Sequence, residues 1–149
     1  MARVLVIEDD GDISQLLRMI LEAQGHEVLA AEDGCRGVAT AIRQRPSVVI
    51  LDIMMPFMDG FAVLEALRED ERTASTPVLM LSANQTEAVE ERCYRLGAQA
   101  FVRKPFDPGI LLGAVRDLVA APPLRIEQVA REKREMPLSV ILAWRGGAQ

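Results

Sequence analysis

The chain has 149 residues, near the modal size of a single domain; half are hydrophobic and a quarter charged. That profile excludes disorder over most of the length, and no apolar run approaches the roughly 18 residues that a membrane helix needs. Net charge is −5, unevenly spread: residues 1–121 carry 12 basic and 19 acidic side chains, residues 122–149 five and three. The acidic body argues against direct nucleic-acid binding, which needs a basic patch, and it fits cation binding if the acids converge. The apolar run Val4–Ile7 stops at Glu8-Asp9-Asp10, too short for a signal peptide, so a cytoplasmic protein without a membrane association is expected. Cys35 and Cys93 lie 58 residues apart with no CxxC, which disfavours a disulfide framework or a structural zinc. The one histidine, His26, follows Gly25 at a helix exit and reads as a loop residue; nothing around it supports a nucleophilic triad.

Taken in chain order, short apolar runs alternate with helical patterns. Val4 to Ile7 is uninterrupted and apolar, so a buried strand. Ile13, Leu16, Leu17, Ile20 and Leu21 then recur at helical spacing, with Asp12 as N-cap and Gly25 as stop. Glu27 to Ala31 reads as a weaker strand; Asp33-Gly34 turns into a helix from Cys35 to Arg43, closed by Pro46. Val48 to Leu51 is a second strongly buried strand ending at Asp52, and a loop over residues 53–59 leads to a helix beginning at Gly60. Phe61, Val63, Leu64 and Leu67 are its core positions. Val78 to Leu81, ending at Ser82, is the fourth strand, followed by a helix from Glu87 to Leu96 that stops at Gly97. Ala100 to Val102 is the fifth, ending near Lys104-Pro105, and Asp107-Pro108 supplies the N-cap and first position of a last helix to Ala121.

Five such units predict an α/β fold with a doubly wound parallel sheet of five strands, flavodoxin-like, in the order 2-1-3-4-5. Ligands in such sheets sit beyond the carboxyl ends of the strands, at the switch point between strands 1 and 3. That edge receives Glu8 and Asp9 from strand 1, Asp52 from strand 3, Ser82 from strand 4 and Lys104 from strand 5. Three carboxylates so close repel one another unless a cation joins them, and a hard divalent ion such as Mg²⁺ suits an all-oxygen set. A carboxylate beside Mg²⁺ and a lysine is also a nucleophile toward phosphorus, with the ammonium offsetting charge on the transferring group and the Ser82 hydroxyl donating to one of its oxygens.

With these residues in view, the chain resembles the receiver domain of two-component response regulators over residues 1–121. The resemblance is carried by Val4-Leu5-Val6-Ile7-Glu8-Asp9-Asp10, by Val49 to Gly60, by Leu81-Ser82-Ala83 and by Lys104-Pro105-Phe106. The spacing between them is 30 residues from Asp52 to Ser82 and 22 from Ser82 to Lys104. It implies that Asp52 is the phosphoacceptor, that Glu8 and Asp9 hold Mg²⁺ with Asp52 and the Met54 backbone carbonyl, and that Ser82 swings toward the phosphoryl group. It also implies that Lys104 is the catalytic cation, joined to Pro105 by a cis peptide, and that Phe101 is an aromatic whose rotamer follows Ser82. The expected function is a phosphorylation-activated switch that catalyses only its own phosphorylation and dephosphorylation. Its partners would be a sensor histidine kinase or histidine phosphotransfer protein, and a downstream protein on the face of helix 4, strand 5 and helix 5. The stretch Gly97-Ala98-Gln99-Ala100 lacks the acids that DNA-binding members use to dimerise through that face, which puts that dimer in doubt.

Asp10 is expected to face solvent or to help start the first helix, not to bind metal. Residues 122–149 read as a C-terminal tail, too short for an output domain, with a helical stripe at Ile126, Val129 and Ala130 and an apolar cluster from Val140 to Trp144. A loose tail, a docked segment and a linker to a missing output domain all stay open. Three rivals are weaker. A haloacid-dehalogenase phosphohydrolase would need an aspartate at position 54, which is Met; an unphosphorylated receiver-like scaffold would be expected to lack one of the site residues; and a nucleotide-binding Rossmann turn would be glycine-rich where this chain has Glu8-Asp9-Asp10-Gly11.

Overall fold

The computed structural model describes residues 2–84 and 86–120. The expectations for the tail at 122–149 lie outside the described residues. Strands and helices alternate: β1 (Arg3–Ile7), α1 (Gly11–Ala23), β2 (Glu27–Ala31), α2 (Gly34–Gln44), β3 (Val48–Asp52), α3 (Gly60–Glu69), β4 (Val78–Ser82), α4 (Glu87–Arg95), β5 (Ala100–Arg103) and α5 (Pro108–Ala120). All strand pairs are parallel, in the order β2-β1-β3-β4-β5, as the sequence predicts.

The apolar runs work because alternate side chains feed two cores. Val4, Val6, Val48, Ile50, Leu79 and Leu81 point to one face, where Leu17 and Leu21 of α1 and Leu111 and Val115 of α5 cover them. Leu5, Ile7, Val49, Leu51, Val78 and Met80 point to the other, beneath Ala41 of α2, the apolar face of α3 and Cys93 of α4. All four α3 positions read as core are buried. Leu16 is not: it is half exposed, because it lies about 100° around the helix from Leu17 and so at the fringe of the buried stripe.

Helix starts follow side-chain capping. Asp33, Asp59, Thr86 and Asp107 each accept an amide proton from the first turn that follows. The first helix corrects the sequence reading. Its cap is Asp10, not Asp12: the Asp10 Oδ1 accepts from the amides of Asp12 at 2.9 Å and Ile13 at 3.3 Å, so Asp12 already stands inside the first turn. On the far side, Gly97 takes φ +106° to end α4. The Arg68 guanidinium donates to the Gly97 carbonyl at 2.8 Å and to Gln99 Oε1 at 3.0 Å, and Gln99 Oε1 also accepts from the Val78 amide at 2.8 Å. Gln99 is therefore an internal clamp between α3, β4 and β5. Among the described residues, no helix is long and apolar enough to cross a membrane.

Candidate functional site

Strand register brings the polar strand ends together. Ile7 lies beside Leu51, Asp52 beside Leu81 and Ser82 beside Arg103, so each strand runs out of apolar residues at the same edge. Backbone bonds continue just past the ladder: Ile53 N–H donates to the Leu81 carbonyl at 3.0 Å, and Lys104 N–H to the Ser82 carbonyl at 2.9 Å. The Lys104–Pro105 peptide is cis, as the resemblance implies.

Lys104 Nζ reaches back over the edge to Glu8 Oε1 at 2.8 Å and Asp52 Oδ1 at 3.1 Å. Glu8 and Asp52 are buried, Asp9 is exposed, and carboxylate oxygens of all three lie within 4.8 Å of one another. One cation against two buried acids leaves negative charge over. Burial first, then the neighbouring Asp52 carboxyl, push the Glu8 carboxyl up to about 8, with Lys104 opposing them. Burial also works against the Lys104 ammonium, but hydrogen bonds and charge from Glu8 and Asp52 outweigh it and hold its pKa above the ordinary lysine value.

The second Glu8 oxygen, Oε2, is buried with no hydrogen-bond partner. An orphaned buried oxygen within a three-carboxylate set fits a hard divalent cation, and Mg²⁺ in particular accepts a few carboxylates with waters and phosphate oxygens. The Met54 amide donates to Asp52 Oδ1 at 3.4 Å, and the Met54 side chain stands in solvent. Ser82 is fully buried, and its hydroxyl oxygen accepts from the Asn84 amide at 3.0 Å. Phe101 is half-buried, opposite Met80, and packs against the α2–α3–α4 side of the sheet. Glu8, Asp9, Asp52 and Lys104 are thus drawn together, while Ser82 ends β4 at the same edge and Phe101 lies on β5 two residues short of it.

One residue at the site escaped the sequence reading, which took Gly60 as loop and helix-start chemistry. Its amide donates to the Ile53 carbonyl at 2.9 Å, and a Cβ there would stand 2.5 Å from the Asp52 carbonyl oxygen. A glycine directly after an N-cap aspartate was the available signal; that α3 starts against the end of β3 is visible only in three dimensions.

The doubly wound sheet places the acidic cluster and its bridging lysine at the switch point, where ligands bind in folds of this class. The response regulator receiver domain model matches residues 4–116, and the chain belongs to that family. It is 40% identical over 144 residues to the DNA-binding dual master transcriptional regulator RpaA of Synechocystis sp.; the match takes in 95% of this chain and 59% of RpaA. It is 36% identical to Protein PilH of Pseudomonas aeruginosa, covering 80% of this chain and 99% of PilH. Among solved structures, chemotaxis protein CheY4 of Vibrio cholerae superposes with a TM-score of 0.76 at 34% identity, over 79% of this chain and 98% of that one. The receiver domain of sensor histidine kinase PA1611 from Pseudomonas aeruginosa, with a magnesium ion coordinated in its active-site cleft, superposes at 0.75 and 25% identity. That match covers 80% of this chain and 98% of the other. The chain is a receiver domain of two-component signalling.

Proposed function

We propose that this receiver is switched by phosphorylation of Asp52. The observation that carries the reading is the Lys104 ammonium lodged between Glu8 and Asp52 beside the orphaned Glu8 oxygen. Glu8, Asp9, Asp52 and the Met54 carbonyl would hold Mg²⁺, which when bound supplies countercharge to the phosphoryl oxygens. A carboxylate oxygen of Asp52 attacks phosphorus, the bond to the donor's leaving atom breaks, and the electron pair departs with the donor. Lys104, already charged, neutralises the arriving group without any reorganisation of its own. The Ser82 hydroxyl gives up the Asn84 amide and donates to a phosphoryl oxygen. Its inward movement shifts the balance between two Phe101 positions and so the surface of α4, β5 and α5, where a downstream protein is read.

The donor in this reading is a sensor histidine kinase or a histidine phosphotransfer protein, and the setting is the cytoplasm. The unit comprises residues 1–121, with 122–149 as its tail, and these 149 residues carry no DNA-binding or enzymatic output of their own; the nearly full coverage of PilH supports this. The partial coverage of RpaA favours a second reading, in which the same receiver serves a longer regulator. The test is incubation with acetyl phosphate and Mg²⁺ followed by intact-mass measurement. One phosphoryl addition to the wild type and none to Asp52→Asn is expected; equal labelling of both would refute the assignment.

A further inference from the structure

The loop from β3 to α3 carries a residue that neither the fold nor the phosphoacceptor chemistry uses. Phe57 is 108% exposed and has φ +67°. The Met58 amide donates to the Pro56 carbonyl at 2.8 Å, which makes Phe57 the centre of a three-residue turn in its strained, positive-φ form. Bulky side chains rarely adopt that backbone, whereas glycine or asparagine would take it with ease. The chain thus holds a large apolar ring in water, at a turn that suits other residues better.

The loop is closed at its base by the bond from the Gly60 amide to the Ile53 carbonyl, against the end of the strand that carries Asp52. Met54, on the same loop, is 67% exposed, while Asp52 itself is 3% exposed. A histidine side chain that reaches Asp52 must therefore bring its own protein against the loops at this edge, of which this is one. A small-molecule donor makes no such demand.

The geometry points to Phe57 as a specificity-determining anchor for a protein phosphodonor, one that presents an apolar recess beside its phosphohistidine. This rests on Asp52 being the acceptor. In the transfer, an Asp52 oxygen bonds to phosphorus, the donor's nitrogen–phosphorus bond breaks, and the imidazole nitrogen keeps the electron pair and takes up a proton. Phe57 touches none of these atoms; it positions the donor. Aromatic anchors carry a disproportionate share of interface energy, and a ring with two rotatable bonds on a backbone held by the turn loses little freedom on docking. A donor is favoured over a second copy of the chain because the loop borders the mouth, which a second copy would close to any phosphohistidine.

The test compares Phe57→Asn with the wild type in two reactions. In the first, acetyl phosphate with Mg²⁺ is the donor, and the rates are expected to agree within about twofold. In the second, the donor is the autophosphorylated histidine kinase that, out of a panel, transfers fastest to the wild type; here kcat/KM is expected to fall tenfold or more, mainly through KM. The folded state should be kept or strengthened, since the variant relieves the turn. Unchanged transfer from the kinase would overturn the proposal, as would equal losses with both donors. Unchanged transfer together with a shift from dimer to monomer would refute it too and assign Phe57 to a contact between copies. Failure of the wild type to accept acetyl phosphate would instead strike at Asp52 as acceptor.

Discussion

Replacing Gly60 by alanine tests how closely the start of α3 is fitted to the strand that carries Asp52. The new Cβ would lie 2.5 Å from the Asp52 carbonyl oxygen, 2.6 Å from the Ile53 Cα and 3.0 Å from the Asp52 carbonyl carbon. Favourable carbon contacts begin near 3.5 Å, so about 1 Å must be found. All three neighbours are backbone atoms, and no side chain can swing aside; either the end of β3 or the start of α3 has to move. Overpacking of this kind costs about 1–3 kcal/mol, which for a domain of this size lowers Tm by roughly 3–9 °C. Because the displaced peptide is that of Asp52 itself, a shift near 1 Å should also slow phosphorylation by acetyl phosphate by about 100-fold. Gly113→Ala is the control. A Cβ there meets nothing nearer than Arg116 Nη2 at 3.9 Å, so alanine should gain about 0.5–1 kcal/mol from helix propensity and leave the rate unchanged. Calorimetry and a stopped-time phosphorylation assay on both variants decide it. A Gly60→Ala protein with wild-type Tm and rate would refute the packing argument.

Three further outcomes follow from the same geometry. Cys35 is exposed, whereas burial, then the charge of Glu90, push the Cys93 thiol up to about 12; a maleimide near neutral pH should modify Cys35 alone in the native protein and both after denaturation, read by peptide mass. The Glu8 carboxyl, at about 8 in the fold against 4.5 as its ordinary value, favours the folded state while protonated, and that contribution fades as pH rises from 4.5 through about 8. Mg²⁺ binds the ionised form, so the rise in Tm on adding saturating Mg²⁺ should be larger near pH 8.5 than near pH 6, and an equal rise at both would contradict a shared Glu8 site. Asp10→Ala should cost about 1 kcal/mol through loss of the α1 cap with little change in Mg²⁺ affinity, while Asp9→Ala should weaken Mg²⁺ binding strongly with little change in Tm; NMR titration and calorimetry separate the two.

Much of the fold was legible because its strands bury both faces. Val4–Ile7, Val48–Leu51 and Val78–Leu81 are unbroken apolar runs, and a run of that kind between helical patterns has few alternatives to a parallel sheet. The candidate site residues were legible for the same reason: Glu8, Asp52 and Ser82 stand where apolar runs stop, and Lys104 directly follows the end of β5. What stayed hidden depends on distant partners or on a single backbone angle. In the run Glu8-Asp9-Asp10-Gly11-Asp12 composition does not say which acid caps α1, since the choice turns on which residue is still extended, and Asp10 has φ −78° and ψ 111°. Gln99 read as a missing acid, yet its side chain bonds Arg68 and Val78, 31 and 21 residues away. Phe57 drew no notice beside the methionines, because neither its exposure nor its positive φ leaves a mark in the sequence.

The most direct test of the account is to locate the phosphoryl group chemically. Reduction of the phosphorylated protein with borohydride converts the modified aspartate to homoserine, and tandem mass spectrometry of the resulting peptides gives its position. Homoserine is expected at position 52 alone, formed only when Mg²⁺ is present during labelling and absent from Lys104→Ala at the same reaction time. Homoserine at position 9 or 10, or labelling at position 52 that needs neither Mg²⁺ nor Lys104, would contradict the account.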